Sequence, residues 1–172
     1  MLLSKNEEIM VYNAGLIIYW PFLTRYFEEL GLVAEGRFVD EESRKRAVYL
    51  LQFLVYGVTH FPEHHLVLNK ILVGMPVEEQ LSAPINLTDY EQEVSFSLMN
   101  GLIANWPQLA NTSIEGMQES FIRREAILER NEETTTLSVE RKGFDVLFQS
   151  LPWNINLVDL PWMENPISVN WM

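Results

Sequence analysis

Cysteine is absent from the chain, and with it go disulfides, thiolate nucleophiles and thiolate metal sites. Positive charge is scarce: 12 Lys and Arg stand against 24 Asp and Glu, a net charge of −12. A nucleic-acid backbone or an anionic lipid surface repels such a chain, so nucleic acid is not an expected partner. Long apolar runs are missing too. The longest, Ala14 to Leu23, holds ten residues and is broken by Pro21, against the roughly 18 that a membrane span requires. Glu7 and Glu8 stand where a secretory signal needs an unbroken apolar stretch. No G-x-S-x-G, G-x-G-x-x-G or G-x-x-x-x-G-K-[ST] occurs, so the local signatures of serine hydrolases, dinucleotide binding and phosphate-cradling loops are all wanting.

What is present is enough apolar matter to fold. Of the 172 residues, 48% are hydrophobic and 12% aromatic, which predicts one globular module over 1–172 around a single core. From Gly15 to Leu30 the apolar spacing is helical, with Pro21 opening a second piece, Phe22 to Glu29, that Gly31 ends. Asp40 caps a clear helix in which Ala47, Leu51 and Leu54 share a face and Gly57 is the stop. A third helix is predicted from Pro62 to Gly74. A fourth begins at the capping box Thr88-x-x-Glu91 and stops before Pro107. A fifth starts at about Ser113 and runs into Arg123 and Arg124.

After the polar stretch ERNEETTT the period changes to two. Leu137 and Val139, Ile155 and Leu157, and Ile167, Val169 and Trp171 alternate with polar residues, predicting three strands. Phe144, Leu147, Phe148 and Leu151 have helical spacing between the first two. The fold class is therefore α+β, helical over 13–130 and strand-rich over 134–172, with a small antiparallel sheet from the C-terminal third.

Trp153, Trp162 and Trp171 crowd the end of the chain, the first two inside a repeated Leu-Pro-Trp. A leucine before proline is pushed toward extended geometry and a proline donates nothing to a ladder, so the repeats bracket the strand Asn154–Val158. Two readings stay open. These tryptophans complete the core, or, with Ile167 and Val169, they form a docking interface in which Ile167–Trp171 is an edge strand that accepts a partner strand.

HFPEHH places His60, Glu63 and His64 at the H-x-x-E-H spacing of one zinc peptidase class. Pro62 leaves His60 at or before a helix cap, so the histidines are not held on one helical face as a zinc site needs. The competing reading is a polar helix N-terminus, and no metal or cofactor is expected. The acidic pairs Glu28-Glu29, Glu78-Glu79 and Glu132-Glu133 read as solvated faces, and the basic run Arg44–Arg46 is offset by Glu41 and Glu42.

Five blocks, NAGLIIYWPFLTRYFEELGL, GRFVDEESRKRAVYLLQFLVYG, EHHLVLNKILVGMP, LIANWPQLANTSIEGMQESFIRRE and LPWNINLVDLPWM…VNW, resemble the C-terminal region of contractile injection system tape measure proteins. The resemblance covers nearly the whole chain, and the paired Leu-Pro-Trp and the Asn-Thr-Ser-Ile-Glu-Gly-Met block are its most specific parts. It implies a non-enzymatic assembly protein of a bacterial phage-tail-like particle, in which a contractile sheath drives an inner tube through a target membrane. Its partners would be tube, baseplate or cap proteins, with a homo-oligomer compatible with particle symmetry, and its place the bacterial cytoplasm and then the particle. Family members are usually longer, so Met1 opens either an excised C-terminal piece or a short member. Even as one helix a chain of this length would reach only about 260 Å at about 1.5 Å per residue, and its prolines, glycines and strands predict a compact block instead. The rival readings are a zinc-dependent hydrolase built on His60, Glu63 and His64, and a free adaptor or chaperone for an injected cargo protein.

Overall fold

A computed structural model describes residues 7–81 and 85–171. Three of its α-helices, those capped by Asp40, Thr88 and Ser113, begin where a side-chain oxygen accepts one of their first free N–H groups. Helix α1 (Trp20–Glu29) follows a 3-10 helix, Ala14–Tyr19, and carries Pro21 in its first turn, where a missing N–H costs nothing. Helix α2 (Glu41–Tyr56) starts with the Ser43 N–H donating to Asp40 at 2.7 Å and stops at Gly57, whose φ of 73° is left-handed. Helix α4 (Asp89–Asn105) has the predicted reciprocal capping box between Thr88 and Glu91. Helix α5 (Ile114–Met117), capped by Ser113, passes into a π-helical turn, Gln118–Ile122.

The predicted third helix is divided. A 3-10 turn, Glu63–His65, is separated from α3 (Val67–Leu72) by Leu66, whose φ of −108° breaks the helical path.

The sheet departs further from expectation. Strands β1 (Glu7–Val11), β4 (Ala126–Arg130), β5 (Thr135–Val139), β6 (Leu157–Val158) and β7 (Ile167–Asn170) form one sheet in the order β1-β4-β5-β7-β6. A separate pair, β2 (Val33–Ala34) and β3 (Arg37–Phe38), makes a small hairpin. Strands β1 and β4 thus lie in stretches expected to carry none, and residues 126–130 are not helical. The sheet is mixed, not antiparallel, because β5 and β7 run parallel, Leu137 opposite Val169. The cause is connectivity: after β5 the chain crosses by a 3-10 helix, Gly143–Ser150, and by β6 before it returns in the starting direction. Of the ERNEETTT stretch only residues 131–134 form the tight β4–β5 turn, its flanking residues belonging to the strands; in it Asn131 Oδ1 accepts the N–H groups of Glu133 and Thr134 at 2.8 and 2.9 Å.

One cluster of buried apolar residues extends from Val11 to Trp171. At its centre α2 is buried continuously from Ala47 to Val55, the pattern of a helix surrounded on all sides. Gln52 on that helix needs partners there. Asn13 Nδ2 donates to Gln52 Oε1 at 3.0 Å and to Asn69 Oδ1 at 2.7 Å, while Asn69 Nδ2 donates to Gln52 and to the Val48 carbonyl. This amide triad fixes the start of the N-terminal 3-10 helix to α2 and α3.

Gly15 is required by contact rather than by its torsion. A Cβ there would lie 2.0 Å from the Phe121 carbonyl oxygen and 2.3 Å from the Ile122 Cα. Both obstacles are backbone, which cannot swing aside. Gly15→Ala should therefore force the 3-10 helix away from the π-helical turn and cost about 3 kcal/mol, the upper end of the usual overpacking range, read as a lowered urea midpoint.

Candidate functional site

The three C-terminal tryptophans are each tied by the indole N–H to a distant part of the chain. Trp153 donates to the Ile18 carbonyl at 2.8 Å and meets Phe22 edge-on at 5.0 Å. Trp162 donates to the Leu72 carbonyl at 2.7 Å and packs on Phe38 and Phe27. Trp20 answers from the helical side, donating to the Asn154 carbonyl at 2.8 Å. The doubled Leu-Pro-Trp segment is thus a strap laid over α1 and α3, with Trp153 and Trp162 half-buried as its clamps.

Trp171 goes deeper, at 1% exposure, and donates to Asp145 at 3.0 Å. Ile167 and Val169 point into the core from β7. That strand lies between β5 and β6, so the expected strand addition at Ile167–Trp171 does not hold: both sides of Ile167–Val169 are already bonded within the sheet. The edges of the sheet are β1 and β6.

Trp171 belongs to a ring of aromatics around a cation that sequence reasoning missed. Arg124 is fully buried. Its Nε donates to the Ser120 carbonyl at 2.7 Å, its Nη1 to the Glu140 carbonyl and to Asp145 at 3.0 Å each, and its Nη2 to the second Asp145 oxygen. The guanidinium also lies over the rings of Phe144 and Trp171, 5.1 and 5.4 Å from their centroids. Burial pushes the Asp145 carboxyl up, but hydrogen bonds from Arg124, from the Lys142 N–H and from Trp171, with the Arg124 charge, outweigh it and hold the group below the usual carboxylate range. Neither residue had a sequence signal. Arg124 looked like the basic end of a helix, and its partner is 21 positions away.

The H-x-x-E-H residues do not converge. Pro62 is extended, with ψ of 143°, so His60 precedes the 3-10 turn that carries Glu63 and His64. Glu63 accepts from Lys70 Nζ at 3.0 Å and from the Leu81 N–H at 2.8 Å, while His64 stacks edge-on against His65. The Glu63 carboxylate therefore holds the segment after α3 in place. Among the described residues no group of three His, Cys, Asp or Glu side chains is placed to hold a metal ion. No helix among them is long and apolar enough to cross a membrane.

Asp145→Asn leaves the Arg124 guanidinium buried without its counter-charge and should cost about 3–5 kcal/mol. Because folding lowers the Asp145 pKa, its contribution is complete above the unfolded value near about 4 and is lost as pH falls through the folded one. Denaturant melts across the acid range should show this loss in the wild type and not in the variant.

A family model described as contractile injection system tape measure protein matches residues 3–171. No curated protein and no solved structure matches the chain. The family match takes in the amide triad, the buried Arg124 cluster and the tryptophan strap alike. Spanning helices and sheet together, it shows that this chain belongs to the contractile injection system tape measure protein family.

Proposed function

We propose that residues 1–172 act as one anchoring module, the globular C-terminal region of a tape measure protein that holds it to tube, baseplate or cap components while the particle assembles in the bacterial cytoplasm. The observation that carries the reading is the family match over 3–171. The way the chain uses its polar side chains supports it. Arg124 with Asp145, Lys70 with Glu63, Arg46 with Glu91, and Asn13 with Gln52 and Asn69 are all engaged in internal bonds. Groups that elsewhere do acid–base chemistry here secure the fold, which favours binding over catalysis. The longest helix among the described residues, α4, has 17 residues and so spans about 26 Å. These residues suit an attachment block rather than a ruler, and a symmetric particle accommodates them as a homo-oligomer.

Affinity purification of the tagged protein from its native producer tests the reading. Tube, baseplate or cap proteins should co-purify, and a catch of injected cargo alone would overturn anchoring in favour of a free adaptor.

A further inference from the structure

One face of the five-stranded sheet is buried, with Val11, Leu128, Leu137 and Val169 in the core. The outward residues of its β5–β7 half are Thr136, Ser138, Ser168 and Asn170, small and polar, with Asn170 Nδ2 donating to Ser138 Oγ at 3.4 Å. A sheet face that meets only water has this composition. The β1–β4 half of the same face does not. Met10 lies opposite Ile127, and they are 45% and 39% exposed. Two positions along the strands to one side, Glu8 lies opposite Glu129. Two positions to the other side, the Glu140 N–H donates to the Glu125 carbonyl at 3.1 Å, which sets a second pair of glutamates across from each other just beyond β4 and β5. All four glutamates are exposed. Like charges directly across a ladder destabilise it, and the fold leaves these unanswered. Among the described residues none of the four makes an ion pair, and Arg130, the cation of β4, is turned to Glu7 and Glu78.

Met10, Glu125, Ile127, Ser138 and Glu140 line one depression of about 250 Å³, and no Lys or Arg lines it. The face thus has an apolar centre between two carboxylate pairs, each about 7 Å away at about 3.4 Å per residue. Charge selects the occupant. A second copy brings a net charge of −12 and an anionic polymer is repelled in the same way, whereas a cationic segment is drawn in. A metal ion is not suited, because among the described residues neither pair has a third His, Asp or Glu placed with it. Met10 and Ile127 call in addition for an apolar contact. We infer that this face seats a basic segment of another protein, an apolar residue of which covers Met10 and Ile127 while Lys or Arg residues on either side of it pair with Glu125 and Glu140 and with Glu8 and Glu129. The two pairs that weaken the isolated sheet are then the ones that bind. The partner's membership of the particle rests on the anchoring reading; the chemistry of the face does not.

Two measurements on the full chain test this. Glu125→Lys combined with Glu129→Lys turns both repelling pairs into attracting ones, so the Tm should hold or rise. A lowered Tm would mean that the fold itself needs the glutamates and would overturn the inference. A photo-crosslinking residue in place of Ser138, which lines the depression, is then irradiated in the producing bacterium and the adduct is sequenced. The expected adduct is a segment of another protein with Lys or Arg on both sides of an apolar residue, and the double substitution should reduce it at least tenfold. An adduct with a second copy, with an acidic or uncharged segment, or no adduct above that from the exposed Glu28 position of α1 overturns it, as does an adduct that the double substitution reduces by less than tenfold. A basic segment from a protein outside the particle upholds the face and defeats anchoring. Particle proteins that co-purify with no adduct at this face do the reverse.

Discussion

A guanidinium taken wholly out of water is tolerated only if every direction around it is answered, and the fold is arranged about the way Arg124 is answered. Its donors reach the π-helical turn at Ser120, the end of β5 at Glu140 and the crossover 3-10 helix at Asp145. Its own carbonyl accepts the Ala14 N–H at 3.0 Å, and Asp145 in turn takes the Trp171 indole. Segments from both ends of the chain therefore meet at one charge. Trp106, Phe121 and Phe148 pack around that meeting point, so the ion pair sits in the low-dielectric setting where loss of either member is most costly.

The parts of the fold legible in the sequence are those decided within a few residues. Asp40, Thr88 and Ser113 cap what they were expected to cap, because a cap is a contact over three positions. The Leu-Pro-Trp repeats fared less well: Leu151 is extended, but Pro161–Trp162 is a turn and the strand expected over Asn154–Val158 shrinks to Leu157–Val158. Strand β4 escaped because it is apolar on both faces: Ala126 and Leu128 are buried while Ile127 is 39% exposed, which erases the period of two. Strand β1 is short and acidic at its start, and only its pairing with β4, more than a hundred residues on, makes it a strand. Parallel pairing of β5 with β7 is a property of the crossover and is written in neither strand.

The candidate site was legible to a different degree. The tryptophans were recognisable as special, but whether they faced a partner or the interior depended on which carbonyls their N–H groups would find. Those carbonyls, on Ile18 and Leu72, are 135 and 90 positions away. Trp153 and Trp162, each half-buried, hold the strap against the helical side of the module. The H-x-x-E-H spacing failed for a local reason: an extended Pro62 places His60 outside the turn that carries the other two residues.

The pairing of β1 with β4 has a mechanical consequence. All five residues from Glu7 to Val11 are in register with β4, and in an antiparallel ladder the bonds stand perpendicular to the strands. A pull on the chain at Glu7 along the strand axis therefore loads that ladder in shear, all bonds at once, instead of peeling them one by one. Two residues further on, Asn13 is moored to Gln52 and Asn69 in the interior. Tension transmitted along the backbone is met first by a sheared ladder and then by a buried latch, which is how a small fold resists being drawn out like a thread.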